Sequence, residues 1–244
     1  MFKVITILFF FFMSSVFVCA DNFPTSARSN QAYARVKPEL QASLAKFGLE
    51  FGAPVFLRVF KSPGILELWM ESKAGTYIKF KEYEICRYSG VLGPKQKQGD
   101  KQSPEGFYKV TVDNLNPWSR YHLSFNLGYP NTYDKLKGRT GSALMVHGEC
   151  ISEGCFAMTN SYMDEIYVLA SAALKNGQSE LNVHSFPFKL DGNILSAYKD
   201  NPWQDFWGNL KEGYDYFNQY KRPPRVAVTA GNYTFSHSKK QPTI

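Results

Sequence analysis

Past residue 18 the sequence has no apolar run close to the roughly 20 residues a helix needs to cross a bilayer, so no integral membrane domain is expected in the mature chain. Cysteine is scarce, with 4 in 244 residues. A chain of this size buries enough surface to fold without a disulfide scaffold. No zinc-finger or RNA-binding signature accompanies the basic residues, which are scattered apart from Lys79-Phe80-Lys81 and Lys95-Gln96-Lys97. Nucleic acid is therefore not an expected partner. No internal repeat or low-complexity linker divides the chain, and 20 Phe and 15 Tyr argue against extended disorder.

What is present begins at the N-terminus. One lysine (Lys3), an apolar stretch from Val4 to Val18 and a small-residue exit at Val18-Cys19-Ala20 describe a secretory signal peptide over residues 1–20. A retained anchor fits less well, and so does lipidation of Cys19, which follows a valine. Cleavage leaves Cys86, Cys150 and Cys155. An odd count in an oxidising compartment leaves at least one thiol unpaired. Cys86 lies in the strand-like Tyr83-Glu84-Ile85-Cys86-Arg87-Tyr88, where the role expected of it is that of a small buried hydrophobe. The net charge of +7 suits either a solvated basic surface or an acidic polymer as partner.

Periodicity predicts a helix over Pro38 to Phe47, with proline in the first turn and Gly48 as the stop. Strands are expected at Val55 to Phe60 and Ile65 to Met70, around a Lys61-Ser62-Pro63-Gly64 turn, and from Thr76 to Cys86. Further strands are expected at Phe107 to Val112, Tyr121 to Leu127, Ala143 to His147 and Leu181 to His184. A helix capped by Asn160 should carry Met163, Ile166, Tyr167, Ala170 and Leu174 toward the core. Asp191 to Tyr220 is aromatic and helix-compatible, Val226 to Val228 suits a last strand, and Ser236 to Ile244 reads as a polar tail. The fold class is α+β, strands first, with helices inserted or appended. The expected organisation is a helical segment at 21–50, a catalytic domain at 51–188 and an aromatic helical extension with its tail at 189–244.

The chemistry concentrates in Leu144-Met145-Val146-His147-Gly148-Glu149-Cys150-Ile151-Ser152-Glu153-Gly154-Cys155. An apolar strand delivers His147, a turn follows, and Cys155 appears shortly before a helix. A thiol nucleophile needs a neighbouring base, and imidazole serves near neutral pH. Gly154 permits close backbone approach, and the N–H groups around Gly154 and Cys155 could form an oxyanion hole. Two other readings stay open on these residues alone. His147, Cys150 and Cys155 offer metal-ligand atoms, although no fourth ligand with paired close spacing completes a zinc motif. Cys150 and Cys155 could also form a disulfide.

The pattern Val-His-Gly-x-Cys-x-Ser-x-Gly-Cys-Phe-Ala-Met-Thr resembles the signature of the L,D-transpeptidase (YkuD-type) catalytic domain, most closely its YafK-like branch of murein enzymes. The resemblance also takes in Ser89-Gly90-x-Leu92-Gly93-Pro94, Pro104-Glu105-Gly106-Phe107-Tyr108 and Tyr121-His122-Leu123-Ser124-Phe125-Asn126, and covers roughly Pro54 to Phe188. It implies an exported enzyme of the periplasm or cell envelope that needs no metal or organic cofactor. Its partners would be peptidoglycan stem peptides and, in one version, a wall-attached lipoprotein.

The same resemblance implies that Cys155 attacks a stem-peptide carbonyl to give a thioester, with His147 as base and the Gly148 carbonyl orienting the imidazole. An amine acceptor gives transpeptidation, and water gives hydrolysis of a stem peptide or of a protein's diamino-acid anchor. A catalytically silent wall-binding module is the third alternative. Two departures from the commoner motif stand beside the nucleophile: Glu153 replaces a second histidine and Ala157 replaces Arg or Asn. The missing polar contacts ask for another cation, and Arg139 in Lys137-Gly138-Arg139-Thr140-Gly141 is the expected carboxylate binder, an ordinary turn arginine paired with a surface acid being the alternative. His122 and Ser152 are expected to line the substrate cleft, a hydrogen-bonded structural role being the alternative for His122. Cys155 alone is expected to be required for activity, with Cys86 and Cys150 dispensable.

Overall fold

A computed structural model of the chain describes residues 23–237. The signal-peptide reading of residues 1–20, Cys19 within it, and all but the start of the polar tail lie outside the described residues. In chain order the elements are α1 (Ala27–Lys46), β1 (Val55–Phe60), β2 (Ile65–Glu71), β3 (Tyr77–Glu84), β4 (Gly106–Val110), β5 (Leu115–Asn116) and β6 (Ser124–Asn126). They continue with α2 (Thr132–Leu136), β7 (Met145–His147), β8 (Phe156–Ala157), α3 (Asn160–Lys175), β9 (Leu181–Phe186), α4 (Gln204–Tyr220), β10 (Arg225–Thr229) and β11 (Asn232–Ser236). A five-stranded sheet runs β3-β2-β1-β9-β4 and a four-stranded sheet runs β5-β6-β7-β8, so the architecture is α+β.

β1 explains the layering. All six of its residues are buried, the signature of a strand covered on both faces. Val55, Leu57 and Val59 turn toward one core, shared with Ala32, Leu40 and Leu44 of α1 and Met163, Ile166 and Ala170 of α3. Phe60 turns the other way, into a second core with Phe186 of β9 and Trp207, Leu210 and Tyr214 of α4. The C-terminal aromatic region is thus the second layer over the large sheet. Burying a side chain such as Leu57 or Phe60 contributes roughly 1.5–3 kcal/mol each.

Several boundaries differ from the sequence reading. α1 starts eleven residues before Pro38, at a Ser26 cap whose side chain accepts from the Ser29 N–H at 3.1 Å. Pro38 sits in the helix interior, where its ring costs a backbone hydrogen bond. Packing of Ala32, Leu40 and Leu44 on α3 outweighs that loss. The cap of α3 is Thr159, which accepts from the Tyr162 N–H at 3.3 Å, not Asn160. The 121–127 strand shrinks to Ser124–Asn126 because His122 adopts φ 66°, and the 143–147 strand loses its first residues because Ala143 adopts φ 55°. Val226 to Val228 belongs to a hairpin with β11, which reaches into the expected tail.

Candidate active site

β7 lies at the centre of the site. It pairs antiparallel with β6, Ser124 opposite His147, and parallel with β8, Val146 opposite Phe156 and His147 opposite Ala157. The connection from β7 to β8 is short, and it carries Glu149, Cys150, Ser152, Gly154 and Cys155. Glu149 and Cys150 both adopt positive φ, 71° and 49°, which side chains rarely do without support. Support comes from Asn160, whose Oδ1 accepts the Glu149 N–H at 2.9 Å and whose Nδ2 donates to Glu149 Oε1 at 2.8 Å.

A disulfide joins Cys150 to Cys86, 64 residues upstream. Beside it Arg87 bridges Ala157 in both directions, at 3.0 and 2.8 Å. The segment Cys86-Arg87 thus grips both ends of the loop. The expectation of Cys86 as an unpaired buried hydrophobe is corrected: it is exposed and bonded. The Cys150–Cys155 pairing left open by the sequence is excluded as well, since Cys155 is the free cysteine among the described residues.

The Cys155 thiol is half-buried. It accepts from the Met145 N–H at 3.4 Å and faces the Ala143 carbonyl at 3.7 Å. Burial pushes its pKa up, opposed by the Met145 N–H and the positive charge of Lys95. His147 is buried, and its Nδ1 lies 2.6 Å from the Gly148 carbonyl oxygen. A carbonyl only accepts, so Nδ1 carries the proton and Nε2 keeps its lone pair. Burial holds the imidazole below its ordinary pKa, against a smaller upward pull from that carbonyl. Both displacements favour neutral groups, a thiol beside a basic imidazole. The Tyr121 ring lies against the imidazole at 4.8 Å between centroids. No hydrogen bond joins the ring to the thiol among the described residues.

Gly148 is required by space. A Cβ there would stand 2.4 Å from Asn160 Oδ1 and 2.9 Å from His122 Cβ. Its N–H donates to the Tyr121 carbonyl at 3.0 Å, which ties the carbonyl that holds His147 to the neighbouring strand. Gly154 has φ 124°, with Leu144 Cδ2 and the Gln102 carbonyl 3.3 and 3.4 Å from where a Cβ would be. Its N–H donates to Ser152 Oγ at 3.3 Å. Ser152 Oγ itself donates to the Cys155 carbonyl at 2.7 Å, reinforced by Ser103 Oγ at 3.3 Å. Ser152 therefore shapes the loop from within.

Of the expected cleft residues, Arg139 is placed elsewhere and His122 matches its structural alternative. Arg139 is buried and paired with Asp134 at 2.8 Å, its guanidinium 4.9 Å from the centre of the Phe206 ring. The expectation of a carboxylate-binding cation there is corrected. A charge this deep needs a partner, and Asp134, five residues back at the start of α2, supplies it. His122 Nε2 lies 2.6 Å from Asp164 Oδ1 of α3, and Asp164 also pairs with Arg35 of α1. Its ring is engaged in that structural network. Tyr121, Ser103 and the disulfide escaped the sequence reading, and Asn160, read as a helix cap, braces Glu149 instead. For Tyr121 the visible signal was the Tyr121-His122 dipeptide, in which the histidine drew the attention. Among the described residues no group of three or more His, Cys, Asp or Glu side chains could hold a metal.

Comparison with known proteins agrees with the motif. The YkuD family, the L,D-transpeptidase catalytic domain, matches residues 76–177. "Putative L,D-transpeptidase YafK" of Escherichia coli, from strains K12 and O157:H7, is 44% identical over 197 residues, covering 79% of this chain and 80% of the relative. Among solved structures, the helical cell shape determining protein Pgp2 from Campylobacter jejuni aligns with TM-score 0.44 and 18% identity over 77% of this chain and 79% of that one. Bd1075 of Bdellovibrio bacteriovorus aligns with TM-score 0.39 and 22% identity over 68% and 62%. The chain belongs to the L,D-transpeptidase family and carries its YkuD catalytic domain.

Proposed function

We propose that the protein is an exported cysteine acyltransferase that acts on peptidoglycan stem peptides through a Cys155 thioester. The observation that carries this reading is a free, half-buried thiol at the entry to β8 and, on the paired strand β7, an imidazole whose Nδ1 proton is committed to the Gly148 carbonyl. Nε2 is left to take the thiol proton as sulfur attacks the carbonyl carbon of the donor peptide. The negative charge that develops on that oxygen falls to backbone N–H groups at Gly154 and Cys155, Gly154 exchanging its long bond to Ser152 for the oxyanion. His147 then protonates the leaving amine, and an acceptor amine resolves the thioester by the reverse steps. The Cys86–Cys150 disulfide is consistent with an oxidising compartment.

The test is mass spectrometry of purified muropeptides incubated with enzyme. Wild type should yield a cross-linked or exchanged product, and Cys155→Ala none. Release of a trimmed stem peptide without any amine adduct would assign the site to hydrolysis. An active Cys155→Ala enzyme would remove the reading altogether.

A further inference from the structure

The segment from Ser89 to Glu105 packs against the nucleophile's loop and is itself anchored from below. Lys61, fully buried, donates to the Gly93 carbonyl at 2.8 Å, the Ser103 carbonyl at 3.1 Å and Glu105 Oε1 at 3.0 Å. Glu105, equally buried, accepts the Gly93 N–H at 2.7 Å and Trp207 Nε1 of α4 at 2.8 Å. All three ammonium protons of Lys61 and both carboxylate oxygens of Glu105 are engaged, which fixes the segment at Gly93, Ser103 and Glu105. Between them lies Lys95, whose side chain is only 3% exposed. Its ammonium pairs with Asp100 and donates to the Lys97 carbonyl at 3.0 Å.

The Lys95 chain passes the backbone that leads into β7. Its Cε would lie 2.8 Å from a Cβ on Gly141, and the Thr140 N–H donates to the Gln96 carbonyl at 3.0 Å. Two residues beyond Gly141 is the Ala143 carbonyl that Cys155 Sγ faces. A buried lysine is costly unless its charge is used or paired. Among the other charged or titratable groups of this region, His147 stands on β7 opposite Ala157, and Tyr129 packs against Gly141 and donates to the Lys95 carbonyl at 3.2 Å. Glu153 on the nucleophile's own loop is exposed and paired with Lys101 at 3.2 Å, and Arg87 on the bridging segment is exposed. From the Ser89–Glu105 segment come Lys95 and, behind it, Asp100.

We propose that Lys95 is an electrostatic positioning residue, a fixed positive charge in the wall of the nucleophile's site that favours the sulfur in its anionic form. It acts through Cys155 and makes no contact with substrate. This deepens the acyltransferase reading and rests on it for its purpose. The charge on Cys155 can nevertheless be measured without turnover. The balance of effects found at the thiol, burial against the Met145 N–H and Lys95, agrees with such a role.

The experiment follows alkylation of Cys155 by iodoacetamide across pH, localised by peptide mass spectrometry with the disulfide oxidised, in wild type, Lys95→Gln, Lys95→Arg and Asp100→Asn. The thiolate is the reactive form. Lys95→Gln should therefore react roughly tenfold more slowly at neutral pH, the size of effect a nearby unit charge exerts at a partly buried site, with its profile moved to higher pH. Lys95→Arg should restore the wild-type profile. Asp100 also accepts the Gln96, Lys97 and Gln102 N–H groups at 2.8, 3.0 and 3.0 Å. Asp100→Asn keeps one of its two oxygens for them, keeps the cation and removes the counter-charge, so a variant that melts like wild type should move the profile to lower pH. This arm decides the matter if Lys95→Gln fails to fold. A Lys95→Gln profile superimposed on wild type, a folded Lys95→Arg that fails to restore it, or an Asp100→Asn shift to higher pH would each overturn the proposal. Turnover by Cys155→Ala would defeat the acyltransferase reading and leave these alkylation results intact.

Discussion

The residues nearest the chemistry are held neutral by burial, and the more distant charges are paired for the same reason. Arg139 shows the second case. Its guanidinium lies buried against Phe206 and Tyr133, and Asp134 neutralises it. Asp134 also accepts from Tyr108 Oη at 3.2 Å and the Asn131 N–H at 3.2 Å. Arg139→Ala would strand that carboxylate, and breaking a buried pair costs roughly 3–5 kcal/mol. Thermal melts should show a large loss of stability. KM measured below the new melting temperature should stay close to wild type. A stable variant with a raised KM would return Arg139 to the cleft.

This is also where the sequence was least informative. A buried arginine and a cleft arginine look alike in Gly138-Arg139-Thr140, because the partner that decides between them is known only once α2 has folded. His122 is similar, its role set by Asp164 42 residues away. His147, Gly148 and Cys155 were legible because the motif compresses them into one loop.

At the level of elements, the short β7–β8 connection determines whether the thiol stays beside the imidazole. Two consecutive positive-φ residues open it, Asn160 braces it, and the Cys86–Cys150 bond secures it to the segment after β3. The sequence reading made both of those cysteines dispensable; the disulfide changes that expectation. In the chain-entropy account, a cross-link spanning 64 residues stabilises by about 4 kcal/mol. Cys86→Ala/Cys150→Ala, or wild type under a reductant, should melt at lower temperature. Because the bond meets the nucleophile's loop directly, kcat should fall several-fold while KM changes less. Equal stability and kcat in the double variant would show that Asn160 and the Arg87–Ala157 bridge suffice by themselves.

Elements with strong local patterns were read nearly as they stand: β1 matches at both ends, and β2 and α3 nearly so. The misses share a cause. Ends shifted where a non-glycine residue adopts positive φ, as at His122 and Ala143, and α1 ran past its proline because contact with α3 outweighs intrinsic propensity. No periodicity within the chain reveals which cysteine 64 residues away will be a partner.

Across the whole molecule, two cores share one sheet, and α4 closes the second over β1 and β9. That layer contains an unusual pair. His184 of β9 is fully buried, its ring 4.6 and 4.7 Å from Phe56 and Phe107, and neither ring nitrogen has a hydrogen-bond partner. Burial, and then the charge of Arg58, hold its pKa well below 6.5. In the folded state His184 thus stays neutral where the unfolded chain would take up a proton. Stability is complete above about pH 6.5 and declines as the pH falls below it, until the folded pKa is reached. His147, displaced in the same direction by burial, adds to that slope. Chemical denaturation at several pH values should show wild type losing stability from pH 8 to pH 5, and His184→Leu losing distinctly less. Parallel profiles would show that acid sensitivity arises elsewhere.

The fold holds a free, half-buried thiol at the entry to β8, and the central claim is that Cys155 becomes acylated. Its most direct test is intact-mass analysis of the protein quenched in acid within the first turnover on a stem-peptide donor, with the modified peptide then sequenced. The account predicts a mass increase equal to the acyl fragment, carried by Cys155, removed by hydroxylamine, absent in Cys155→Ala and strongly reduced in His147→Ala. Turnover without any adduct, or an adduct on another residue, would contradict it.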